Sequence, residues 1–197
     1  MKMLNMRLWL TASQRRTLSL AVYMLLFAAG CIAGTFCIIN FKDNSLCKFC
    51  LMCGLPDTSS EGIKLFLSSL SYSIGILTLA LCLGFCGIGQ IFLTALLLFH
   101  GFSIGCILTS LSQDFTISIL PLYALAALYT AAVSYIILLG IREAMNFSCT
   151  YVHVLLYGAE SSDMRSRLHL YCLRFAVLMG ILIILSLIYT LLSGFIK

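Results

Sequence analysis

Charged side chains are scarce in this chain. Asp, Glu, Lys and Arg make up 10% of its 197 residues, against roughly a quarter in an ordinary soluble domain. Too few to clothe a water-facing surface, they exclude a soluble globular fold. Proline occurs twice and tryptophan once, and there is no Gly/Ser linker, charge block, low-complexity tract or repeat of fixed period, so nothing divides the chain into separate units. Catalytic signatures are missing as well. No Gly-x-Ser-x-Gly, HExxH, phosphate loop or pair of intramembrane carboxylates occurs, and we expect no enzyme, no cofactor and no resident metal. Apolar residues supply 61% of the chain and the mean hydropathy is +1.08. The fold class expected is an all-α, polytopic membrane protein with a single membrane domain. The net charge of +5 then reads as orientation in a bilayer, with lipids as the surroundings and no nucleic-acid partner.

Crossings are counted from uncharged runs, because a charge at mid-bilayer is costly and about 20 helical residues cross the hydrocarbon. Thr17–Phe41, Phe115–Ile141 and Phe175–Ile196 each suffice for one crossing. Leu65–Gln113, on the order of 70 Å if helical throughout, should cross twice, bending at CGIGQ, residues 86–90. Gly84, Gly87 and Gly89 mark that break, and Pro121 marks the start of a later span. Five transmembrane helices are expected, with spans 2 and 3 forming a Gly-broken hairpin. The boundaries read as a basic segment 1–16, span 1 at 17–41, an outer loop 42–64, span 2 at 65–85, span 3 at 91–110, span 4 at 118–141, a cytoplasmic loop 142–168 and span 5 at 173–196. Lys2, Arg7, Arg15 and Arg16 before span 1, and Arg142, Arg165, Arg167 and Arg174 around the loop before span 5, place both segments inside. The N-terminus is then cytoplasmic and the C-terminus outside.

The ten cysteines carry the most conspicuous motif, CKFCLMCGLP at residues 47–56. Cys47, Cys50 and Cys53 at three-residue spacing resemble the opening of a ferredoxin run, but the fourth cysteine followed directly by proline is missing and no histidine lies in the loop. Packing, a disulfide or redox role, and metal ligation all remain open for them. AAGC, residues 28–31, resembles a lipobox that would acylate Cys31. The apolar run, however, continues unbroken through CIAGTFCIIN, as in a retained anchor.

His100 is the ionisable residue near the middle of a span. Such a residue is a functional candidate by default, as proton relay, ligand contact or gate, and equally an interhelical hydrogen-bonding group. A relay would have to run through Tyr72, Tyr123, Tyr129 or Tyr135. Small residues at four-residue spacing appear as GCIAG, with Gly30 and Gly34, and GFSIG, with Gly101 and Gly105. This spacing lets helix backbones approach closely in lipid. Ala124, Ala127, Ala131 and Ser134 form a similar stripe, so a compact bundle or a homo-oligomeric contact is expected in place of a pore. In the loop, Tyr151, Val154, Leu155 and Leu156 could lay an amphipathic helix on the inner interface, ended by Gly158.

The stretch IGILTLALCLGFCGIGQIFLTALLLFHGFSIGCIL, residues 74–108, followed by LPLYALAALYTAAVSYIILLGI, residues 120–141, resembles the core of the stage II sporulation protein M family of endospore-forming bacteria. The matching positions are Gly84, Gly87 and Gly89 at the break, His100 before Gly101 and Gly105, and Leu120 with Pro121. The family usually has a basic residue where His100 stands and an acidic one near the end of its last span, where this chain reads IYTLLSGFIK. The resemblance implies a multi-pass anchor of the engulfment machinery, holding the peptidoglycan-degrading stage II sporulation proteins D and P at the sporulation septum. Two other functions fit the residues: a small transport subunit with a midplane site near His100, and an extracytoplasmic thiol redox protein using Cys47, Cys50 and Cys53.

Overall fold

The computed structural model describes residues 12–40, 62–113, 120–157 and 161–196. They form five α-helices: α1 Ala12–Asn40, α2 Gly62–Gly84, α3 Gly89–Gln113, α4 Leu120–Tyr157 and α5 Ser161–Ile196. Four of them, α1, α3, α4 and α5, are long and apolar enough to cross a membrane, and α2 contributes a shorter apolar stretch, Leu70–Gly84.

Hydroxyl side chains show how the helices live in apolar surroundings. Thr35, Thr94, Ser103, Thr109, Thr130, Ser134 and Thr190 each donate to the carbonyl four residues back. Each polar group is thereby satisfied within its own helix, with no water needed.

The α2–α3 bend lies where glycine permits it. Phe85 to Ile88 form the turn, closed by short-range backbone bonds from Phe85 N to Cys82 O (3.2 Å), Cys86 N to Leu83 O (3.1 Å) and Gly89 N to Cys86 O (2.9 Å). A Cβ on Gly89 would collide with the Leu83 carbonyl, and one on Gly84 with the Tyr171 hydroxyl. Pro121 sits in the first turn of α4, where its missing N–H breaks no helical bond.

One sequence expectation needs correction. The segment expected as a loop, 142–168, is helical over its described residues: α4 continues without interruption to Tyr157 and α5 already runs from Ser161. Arg142 and Glu143 end an uncharged run, but charge does not end a helix. The next stop signal after Gly140 is Gly158, and Gly140 is a packed glycine whose added Cβ would strike Leu77 of α2. At 1.5 Å per residue α4 and α5 are about 57 and 54 Å long, well beyond the ~30 Å of hydrocarbon in a bilayer.

The main core is built by α2 to α5. Leu77, Leu93, Leu97, Ile137, Phe175 and Leu182 are its fully buried centre. Among the described residues, no fully buried side chain of α1 belongs to it; Leu20, Tyr23, Leu26 and Phe27 only lean against it. A second, small cluster joins α1 to α3 through Ile38 and Cys106. The bundle is thus a four-helix body with α1 applied to α3, its most extensive helix partner, while α1 barely meets α4.

Candidate functional site

The α1–α3 contact is made by backbone. A Cβ on Gly30 would lie 2.5 Å from Leu98 O and one on Gly101 2.5 Å from Phe27 O, while added carbons on Gly34 and Gly105 would overlap the carbonyls of Phe102 and Cys31. The two glycine pairs singled out in the sequence therefore face each other, and each glycine opposes a carbonyl of the partner helix. The Hα that takes the place of each absent Cβ points at that oxygen, the arrangement of a Cα–H···O contact. Dispersion and such contacts are what holds helices together in lipid, where apolar burial gives no driving force between them. Lower on the seam, the Cys106 thiol donates to Gly34 O at 3.6 Å.

His100 lies one residue before this seam and is 1% exposed. Its ring lies between Phe27 of α1, at a centroid distance of 5.9 Å, and Tyr72 of α2, at 6.1 Å. The Tyr72 hydroxyl is 3.4 Å from Nδ1. When Tyr72 donates this bond, the ring proton resides on Nε2, a buried nitrogen with no hydrogen-bond partner. His100, on α3, thus meets side chains of both α1 and α2.

Of the other tyrosines considered for a relay, Tyr129 shares a 2.9 Å hydrogen bond with Ser186 and stacks on Tyr189 at 4.4 Å, which joins α4 to α5. Tyr135 is exposed, and the side chain of Tyr123 lies outside the described residues, as does that of His153. His169 is exposed on α5. Cys47, Cys50 and Cys53 fall outside the described residues. Among the described residues no His, Cys, Asp and Glu side chains gather into a metal-binding group, and Cys31, Cys82, Cys86, Cys149 and Cys172 are free thiols. Helix α1 runs straight through Cys31, which is half-buried.

The hairpin turn is held by α4 and α5 residues that sequence reasoning did not select. Ser148 of α4 donates to Cys86 O at 2.8 Å, and the Gln90 amide lies 3.0 Å from the Cys149 sulfur. Beside the turn, Phe85 packs edge-on against Phe147 and Tyr171, which stack at 4.3 Å, and the Tyr171 hydroxyl donates to Leu81 O at 3.0 Å. Glu143 and Arg174 pair across α4 and α5 at 2.5 Å. Tyr171 sits among Arg167, His169 and Arg174, so in sequence it reads as part of a polar edge. Its role depends on α5 beginning at Ser161.

Comparison of the chain with protein-family models, with curated proteins and with solved structures finds no match.

Proposed function

We propose that the protein is a non-enzymatic membrane anchor, a helical scaffold that holds partner proteins in the plane of a bilayer. The observation that carries this reading is the glycine seam. Helices that meet backbone to backbone leave no room between them for a substrate, and His100, enclosed by Phe27 and Tyr72 just beside the seam, serves the packing. In this reading α2 is also a crossing: its 23 residues span about 35 Å. The chain then crosses five times, with the N-terminus inside and the C-terminus outside, as the arginine distribution favours. The resemblance to stage II sporulation protein M gives the anchor a setting, the engulfment complex at the sporulation septum, with the stage II proteins D and P as the enzymes it retains. The chemistry would then belong to the partners.

One observation favours transport: Nε2 of His100 is buried without a hydrogen-bond partner, as a group awaiting a substrate would be. His100→Ala separates the two readings. A scaffold variant should still assemble and support its partners, whereas a transporter should lose flux. Deleting the gene in a spore-forming host tests the setting directly. Stalled engulfment is the expected result, and normal engulfment in a host with no second copy overturns the septal assignment.

A further inference from the structure

Charged groups inside apolar spans are expected to answer one another, and on one side of α4 they do: Glu143 is held by Arg174 of α5. Arg142, next to Glu143 in sequence, has no such answer. It is half-buried within the apolar stretch Ala124–Val152, about 9 Å along the helix from Ser148, which marks the level of the α2–α3 turn. Its Nε is buried without a hydrogen-bond partner, and among the described residues no carboxylate pairs with it. An unpaired cation at this depth is costly, so it calls for an anion from outside the chain.

The same face of α4 borders a groove. Positions 127, 131, 138 and 142 share one side of the helix, and Ala127, Ala131 and Leu138 line a cavity of about 330 Å³, with Met24 and Cys31 on the α1 side and Ile104 of α3 between. The cavity exists because α1 docks on α3 and barely meets α4. Long helical side chains lean toward the helix N-terminus, so Arg142 leans over Leu138 toward the end of the groove. Tyr23 of α1, beside Met24, lies within electrostatic range of its guanidinium. Thr130 and Ser134 also line the groove, but their hydroxyls are engaged by carbonyls of their own helix. The groove is therefore apolar along about 17 Å of α4 and has a cation one turn beyond its end.

We propose that this groove docks a transmembrane helix of a second protein, one that turns a carboxylate to Arg142 and lays apolar residues along Ala127 and Ala131. The alanines let another helix backbone approach closely, and a carboxylate matches the guanidinium fork. A further copy of this chain does not meet the requirement. Of its seven Asp and Glu residues, all but Glu143 lie outside the apolar spans, and Glu143 is taken by Arg174. The inference rests on the scaffold reading and gives the partner its chemistry, yet the two fail separately: flux lost in His100→Ala would remove the scaffold and leave the charge preference of the groove standing.

Energy transfer between the purified full-length protein and a labelled synthetic helix in phosphatidylcholine vesicles tests the proposal. The probe is a Leu/Ala helix of about 20 residues with a single Glu between one and two turns from one end, compared with the same helix carrying Gln. The Glu helix should bind at least about tenfold more tightly, as expected for charge-assisted hydrogen bonds, and Arg142→Met should erase the preference. Ala131→Leu, which crowds the groove, should weaken both helices alike. Thermal unfolding of the protein alone gives a second readout. Arg142→Met removes an unpaired charge and should raise the midpoint, whereas a lower midpoint would show Arg142 already paired within the chain and overturn the proposal. Equal binding of the two helices, a preference that survives Arg142→Met, or unchanged binding by Ala131→Leu would overturn it as well. So would loss of the Glu helix when phosphatidylglycerol replaces part of the phosphatidylcholine, which would assign Arg142 to a lipid phosphate.

Discussion

At the scale of single residues, the glycines divide by what stands opposite their missing side chains. Gly105 faces the carbonyl of Cys31, whereas Gly180 of α5 has nothing within 4 Å of an added carbon. The same substitution should therefore have opposite signs. Gly105→Ala forces α1 away from α3 and should destabilise the fold by about 1–3 kcal/mol, the usual range for overpacking. Gly180→Ala only removes backbone freedom from a helix and should stabilise by about 0.5–1 kcal/mol. Thermal unfolding in detergent micelles measures both, and two shifts of the same sign would refute the seam as described. The glycine spacing was visible in the sequence as a packing face, since small residues one turn apart have little other reason to recur in lipid. What spacing could not name was the partner: only the register of α1 on α3 brings Gly30 to Gly101, Gly34 to Phe102 and Gly105 to Cys31. His100 was visible for the same reason of scarcity, a polar group in an apolar run. Tyr72, 28 positions away, was one of four candidate partners until the fold selected it.

At the scale of helices, the chain shows which punctuation matters. The bend between α2 and α3 is readable because glycines cluster there, and the helices do end at Gly84 and resume at Gly89. The extension of α4 to Tyr157 is not readable from charge, because Arg142 and Glu143 mark polarity and not backbone geometry. That extension matters for the turn it passes: Ser148, beyond the expected end of the span, supplies the hydrogen bond to Cys86 O. Ser148→Ala should leave the helices intact and cost about 1 kcal/mol, typical of one hydrogen bond. The loss should be local. Amide hydrogen exchange at residues 85–89 should speed up while the centre of α3 remains protected, and unchanged exchange at the turn would show that Ser148 does not hold it.

At the scale of the whole molecule, the arrangement is a four-helix body plus one. The main core's fully buried residues come from α2 to α5, and α1 is fastened chiefly through the seam on α3. Bulky residues at two points of the seam, Gly34→Leu against Phe102 and Gly105→Leu against Cys31, should release α1 as a unit. Protease sites and fast amide exchange should then appear within residues 20–40, with α2 to α5 still folded. Collapse of the entire protein in this variant would instead make α1 integral to the core. The sequence disclosed five helical segments without this hierarchy, because hydropathy reports how apolar a helix is and not which neighbours bury it.

The seam also bears on how this protein can change over time. Recognition between α1 and α3 is written in two glycines per helix and in carbonyl groups that every amino acid possesses, while Leu25, Ile32, Phe36 and Ile39 of α1 are 63–71% exposed. Most letters of the first helix are consequently free to drift among apolar alternatives without disturbing its docking. Two lineages could keep the same α1–α3 joint while sharing little readable sequence across it, and a foreign apolar helix carrying the same glycine spacing should graft onto α3 in its place.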